Sequence, residues 1–274
     1  MRLNKISLVS SLALALGLGL MVSASAIAAE SATKAHHPKA AHFEFEGPFG
    51  TFDRGALQRG FQVYKEVCAS CHSLDLIAFR NLADKGGPEF SEAQARALAA
   101  AVRVPAEPND QGETHDEKGQ RITRPAVLSD KIPPPYPNEN AARANNSGAL
   151  PPDLSLMTKA RHGGAEYLYS LLTGFHGEKV PAGFKVPDGK YFNPYYEGWV
   201  ISMPPPLTNN GVTYSDGTKA TIEQQAHDVT TFLEWAAEPK LEERKRMGFA
   251  VLIFLISLAG VLFAAYRKVW KDAH

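Results

Sequence analysis

Val67-Cys68-Ala69-Ser70-Cys71-His72-Ser73 holds both cysteines of a 274-residue chain, with a histidine directly after the second thiol. In an exported protein two cysteines ordinarily form a disulfide. A structural zinc would need a second Cys or His pair to complete a tetrahedron, and the chain offers no such pair. A redox dithiol is expected inside a βαβ unit, which the surrounding sequence does not have.

Covalent haem attachment accounts for all three residues together. A spacing of three puts Cys68 and Cys71 on one edge of a porphyrin, where each thiol adds to a vinyl group. The next residue, His72, then lies below the iron with an imidazole nitrogen in reach. The stretch therefore predicts one haem c, covalently attached, with His72 as an iron ligand.

Working outward, Asp53 to Ser73 reads as a helix with apolar Leu57, Phe61, Val63, Tyr64 and Val67, ending at the cysteine loop. Ser91 caps an Ala-rich helix running to Val102. Val104 to Pro137, with scattered Pro, Gly and acids, reads as a long excursion without regular elements. Asp153 to Thr173 reads as a helix weakened at Gly163-Gly164. Tyr191 to Leu207 carries too many Pro and Gly for a helix. Thr221-Ile222-Glu223-Gln224 has the form of a capping box opening an amphipathic helix with Val229, Phe232, Leu233 and Trp235.

The two ends are apolar. Arg2 and Lys5 precede a run from Leu8 to Val22, and the small residues after it suit an export peptidase, so residues 1–28 read as a signal peptide. Ser31 to Ala41, with His36, His37 and His42 in or beside it, reads as a mobile, solvated leader rather than a metal site. Packed structure is expected from Phe43. Gly248 to Tyr266 carries no charge and spans about 28 Å as a helix, enough for a single membrane crossing. The expected organisation is a haem domain over 43–240, an anchor over 248–266 and a tail over 267–274. Basic residues flank the anchor on both sides, so its orientation follows from the signal: the large middle outside, the tail in the cytoplasm. A formal net charge of zero gives no support to nucleic-acid binding.

A sixth iron ligand can be sought among the methionines. Met1 and Met21 leave with the signal and Met247 lies at the membrane edge, which leaves Met157 and Met203. Met157 falls in an apolar pattern where a core methionine is the ordinary reading. Met203 precedes Pro204-Pro205-Pro206, whose fixed φ angles stiffen the loop enough to hold a weak thioether ligand. Met157 or a histidine such as His162 remain the alternatives.

With these residues in place the chain resembles the cytochrome c1 family, the haem subunits of quinol–cytochrome c reductase (cytochrome bc1) complexes. The resemblance rests on Cys68-Ala-Ser-Cys71-His72, Ala142-Arg143-Ala144-Asn145-Asn146-Ser147-Gly148-Ala149-Leu150-Pro151-Pro152-Asp153-Leu154-Ser155 and Arg161-His162-Gly163-Gly164. It extends through Tyr191-Phe192-Asn193-Pro194-Tyr195, Met203-Pro-Pro-Pro-Leu207 and Arg244-Lys245-Arg246-Met247-Gly248. It implies a mainly α fold: a class I cytochrome c-like haem domain with long loops, plus one C-terminal transmembrane helix. It implies His72 and Met203 as axial ligands of the metal and Arg143 on a haem propionate.

Ser147 stands where relatives often have Asn or Gly, and no cysteine is left for the disulfide found in some bacterial relatives. The implied role is a respiratory-chain electron-transfer subunit, not catalytic by itself. It would receive one electron from a Rieske iron–sulfur protein beside cytochrome b and pass it to a soluble or membrane-anchored cytochrome c. The implied location is the bacterial inner membrane, in contact with lipid, with the haem domain in the periplasm. Acids at Glu107, Asp110, Glu113, Asp116 and Glu117 are candidates for steering a basic acceptor. A free-standing anchored cytochrome would not need the long excursions, and a haem peroxidase or sensor would need an open sixth position.

Overall fold

The computed structural model describes residues 34–271; the expected signal at 1–28 and the last residues of the tail lie outside them. In chain order the helices are α1 (Arg54–Glu66), α2 (Glu92–Ala100), α3 (Glu139–Asn145), α4 (Gly164–Thr173), α5 (Ile222–Ala237) and α6 (Leu241–Val269). Two short antiparallel ladders pair β1 (Arg103–Pro105) with β2 (Thr123–Pro125) and β3 (Tyr191–Phe192) with β4 (Val200–Ile201). Mainly α with long loops is the fold class read from the sequence.

The platform is the crossing of α1 and α5. Asp53 caps α1 by accepting the Gly55 N–H at 2.9 Å. Leu57, Gly60, Phe61 and Tyr64, at i, i+3, i+4 and i+7, form its buried face. At Gly60 the helices touch through backbone: a Cβ there would sit 2.0 Å from the Asp228 carbonyl oxygen. Asp228 is itself fully buried on α5. Arg59 grips its carboxylate with Nε at 2.9 Å and Nη2 at 3.0 Å, and Gln224 adds a third donor at 3.0 Å. Burial opposes the Arg59 charge, but the bonds to Asp228 and Asp216 outweigh it and raise the guanidinium above its ordinary value. Phe61, Phe232 and Trp235 fill the space around this crossing.

Several local expectations change. α1 stops at Glu66, before the cysteines, which occupy a separate 3₁₀ turn. The expected helix from Asp153 forms only from Gly164, because Asp153 spends its carboxylate on other backbone and Gly163 and Gly164 take left-handed φ of 86° and 53°. Thr221 caps α5 through the Gln224 N–H, but the Gln224 side chain turns to Asp228, so only half of the capping box forms. The 104–137 excursion closes its base with the β1–β2 ladder, which buries Val104, while all five acids named above stand exposed.

The leader also differs from expectation. His36 N–H donates to the Pro194 carbonyl at 2.8 Å, Lys39 N–H to Ser170 Oγ at 2.7 Å and the Trp199 indole to the Lys34 carbonyl at 3.1 Å. Polar composition argued for a free tail, yet its backbone finds partners on α4 and the 193–199 loop. His36 also stands edge-on to both Tyr195 and Trp199.

Replacing Gly60 by Ala should force α1 and α5 apart and destabilise the head by at least about 2 kcal/mol. A urea unfolding curve of the haem-loaded protein checks this.

Candidate functional site

The Cys68–Ser70 turn is closed by Cys71 N–H and His72 N–H donating to the Cys68 carbonyl at 3.1 and 2.9 Å. Both cysteines are free thiols. Cys68 lies against the core, and burial, then the neighbouring Cys71, pushes its thiol up to about 12. A redox-active dithiol instead needs a lowered thiol pKa, so the local chemistry disfavours that use.

The His72 ring is held by the 152–155 segment. Its Nδ1 lies 2.8 Å from the Pro152 carbonyl oxygen, which can only accept, so Nδ1 carries the proton. Nε2 is then the bare nitrogen, free to bind a metal. Burial lowers the imidazole below its ordinary value, which also favours the neutral, ligating form. Behind it, Asp153 Oδ2 accepts from Ser73 Oγ and from Asp75 N–H, both at 2.8 Å, and Oδ1 accepts from Ser155 N–H at 2.9 Å. Leu154 N–H donates to the Ser73 carbonyl and Leu76 N–H to Ser155 Oγ. The Tyr64 hydroxyl reaches the His72 carbonyl at 3.3 Å, tying α1 to the same loop.

Met203 lies in a bend just after β4, half-buried. Its loop is held on one side by the Tyr191–Ile201 and Phe192–Val200 pairs and by Lys190 Nζ on Ser202 Oγ at 2.8 Å. On the other side Leu207 is buried and its carbonyl accepts from His176 Nε2 at 3.1 Å. Met157 is buried with the core, and His162 is exposed. Arg143 sits on α3 with an exposed guanidinium, 3.9 Å from Glu139 and 3.5 Å from the Gly148 carbonyl. Hydrogen bonds thus join 68–76 to 152–155, but none among the described residues joins Met203 or Arg143 to that loop.

A haem c fits this donor set: two free thiols on one tight turn, followed by an imidazole whose tautomer is fixed by its backbone partner. Comparison with known proteins points the same way. Residues 43–273 match the model of the Cytochrome C1 family. The chain belongs to that family. It is 50% identical over 255 residues to "Cytochrome b/c1" of Bradyrhizobium diazoefficiens, covering 86% of this chain but only 36% of that protein, about a third of its length. It is 48% identical over 253 residues to "Cytochrome c1, heme protein, mitochondrial" of Saccharomyces cerevisiae, covering 91% of this chain and 78% of that one. With "Cytochrome c1" of Rhodospirillum rubrum it shares 45% identity over 244 residues, covering 84% and 86% respectively. The cytochrome c1 family serves electron transport, and its covalently bound haem c is this chain's cofactor.

Pro152 and Asp153 hold the His72 loop, and pattern reading gave neither a role. An Asp two residues before a Ser, at Asp153-Leu154-Ser155, is a turn signal that could have placed the carboxylate on neighbouring amides.

Asp153→Ala should leave the Asp75 amide and the Ser73 hydroxyl without their acceptor and cost about 2–3 kcal/mol. Burial alone would raise this carboxyl, but the amide and hydroxyl donors hold it below its ordinary 3.8. A depressed carboxyl stabilises fully above its unfolded value and loses that contribution as the pH falls through the folded one. Acid titration of unfolding should therefore show wild type weakening below about pH 4, with that component missing in Asp153→Ala.

Proposed function

We propose that this chain is the haem c subunit of a cytochrome bc1 complex, taking one electron from a Rieske iron–sulfur protein beside cytochrome b and delivering it to a cytochrome c. The single observation that carries the reading is the His72–Pro152 contact within a Cys-x-x-Cys-His turn. It presets a neutral imidazole with its outer nitrogen free, which is what an iron ligand requires and a solvated histidine does not.

The remaining assignments rest on the sequence motifs. Cys68 and Cys71 would form the thioether links, His72 and Met203 would ligate the iron, and Arg143 would pair with a haem propionate. When bound, the haem supplies a one-electron couple. The protein's own residues position it, tune it and exclude water. As an iron ligand, Met203 would favour the reduced state and so raise the potential. The nearly free Arg143 guanidinium is available as a fork for a carboxylate. The exposed acids of the 107–117 excursion suit a basic acceptor and would speed its encounter.

α6 is 29 residues long, uncharged from Gly248 to Tyr266 and unburied along that apolar stretch, and serves as a single-pass anchor. With a cleaved signal at 1–28, the 43–240 domain stands in the periplasm of a bacterial inner membrane, 248–266 crosses, and 267–274 is cytoplasmic. The anchored cytochrome and the peroxidase readings gain no specific observation.

Met203→Leu keeps volume and apolarity but removes the sulfur. The haem should remain attached, the midpoint potential should fall, and the reduced protein should acquire carbon monoxide binding. Each fall of about 59 mV costs roughly tenfold in a one-electron equilibrium, so quinol-dependent reduction of added cytochrome c should fall in step with the measured potential. Redox titration and carbon monoxide difference spectra check this. Met157→Leu should leave both unchanged; a fall in potential there instead would reassign the ligand.

A further inference from the structure

Head and anchor meet without a linker. α5 ends at Ala237, Glu238-Pro239-Lys240 turn the corner, and α6 starts at Leu241, whose side chain is buried in the head. In the next position Glu242 takes both arms of Arg54, Nη1 at 2.7 Å and Nη2 at 2.8 Å, and also accepts the Phe52 N–H at 2.8 Å. Arg54 donates back to the Phe52 carbonyl at 3.0 Å and is braced by Glu89 at 3.1 Å. One turn further, Lys245 Nζ bridges the Phe45 and Gly50 carbonyls. A turn beyond that, Phe249 meets Phe49 edge-on at 5.8 Å. Glu242, Lys245 and Phe249, at i, i+3 and i+7, share one face of α6, and all of it is committed to residues 45–54. The loop has no slack: a Cβ on Gly50 would lie 1.9 Å from the Glu46 carbonyl oxygen.

Arg54 is the first residue of α1, and Cys68 follows its last turn. α1 is therefore a rigid strut about 20 Å long, with the anchor at one end and the Cys-x-x-Cys-His loop at the other.

We propose that the Arg54–Glu242 pair is a positioning device: it locks α1 to the membrane helix and so sets the tilt and height of the haem over the bilayer for a membrane-bound electron donor. The proposal rests on the haem-carrier reading above. Its logic is geometric. Leu241, Lys245 and Phe249 hold the helix against the head, but only the Arg54–Glu242 fork ties it directly to α1 against swing about the Pro239 corner, and a misplacement of about 1 Å between reacting centres costs rate steeply. An ordinary ion pair at this exposure, 31% and 24% for the two side chains, contributes little stability. A bidentate arginine fork closed by a backbone amide instead fixes direction, which is what the strut needs.

The test uses the assembled complex in native membranes, dried as oriented multilayers, with electron paramagnetic resonance of the ferric haem. Wild type should give a narrow angular dependence. Glu242→Gln keeps the shape of the side chain but loses the charge and the second acceptor for Arg54. It should broaden the orientation and slow reduction of the haem by the quinol-driven donor several-fold. Haem content, midpoint potential and reduction by dissolved ascorbate should be unchanged. Arg54→Lys, which keeps the charge and loses the fork, should do the same, and it carries the test if Glu242→Gln lowers haem content. A narrow orientation in the loaded variant overturns the clamp, and a broadened orientation with an unchanged rate overturns its role in electron transfer. Failure of the carrier reading shows separately, as a wild-type haem that quinol does not reduce.

Discussion

One imidazole held by one backbone carbonyl organises this protein. The 2.8 Å contact between His72 Nδ1 and the Pro152 oxygen joins segments eighty residues apart and fixes the tautomer of the ring. Asp153 makes the junction rigid by binding the backbone and a hydroxyl on the far side of the same loop. The outer groups of a metal site hold its ligands in register and raise their basicity, and here those groups are chain segments rather than isolated side chains. The α1–α5 crossing gives the loop its floor, and the tie from Tyr64 to the His72 carbonyl extends that floor to the ligand itself.

This arrangement explains why some of the molecule was legible in its sequence and some was not. Covalent haem attachment demands a fixed spacing of two thiols and a histidine, so Cys68, Cys71 and His72 could carry the haem c reading as a pattern alone. α1 announced itself through 3.6-residue periodicity, because it buries one face, α2 through an Ala-rich run behind the Ser91 cap, and α5 through the Thr221 cap and the apolar residues that follow it into the core. The 153–163 segment did not. Its apolar spacing resembles a helix, but Asp153 gains more by serving the haem loop than by capping a helix at its own position. The leader misled for the opposite reason. Its small polar residues have no apolar face to signal packing, yet backbone amides and the His36 and Lys39 side chains dock it on α4 and the 193–199 loop.

The placing of the two proposed ligands differs in kind. His72 is fixed by hydrogen bonds that cross the fold, whereas Met203 hangs from a short β3–β4 ladder and a run of three prolines. A thioether binds iron weakly and needs its loop prearranged; an imidazole needs its proton directed elsewhere. Each has the support its chemistry demands. The same economy governs α6, where one helix is long and apolar enough to cross a membrane and, through Glu242 and Lys245, is also part of the head.

On the proposed function, electrons pass through the haem at Cys68–His72 on their way from quinol to a soluble acceptor. Time-resolved absorbance in membranes containing the complex tests it directly, following the haem c α-band after a pulse of quinol. The band should rise to the reduced form within a turnover and return to the oxidised form only when oxidised cytochrome c is added. A haem c that stays oxidised while added cytochrome c becomes reduced would contradict it.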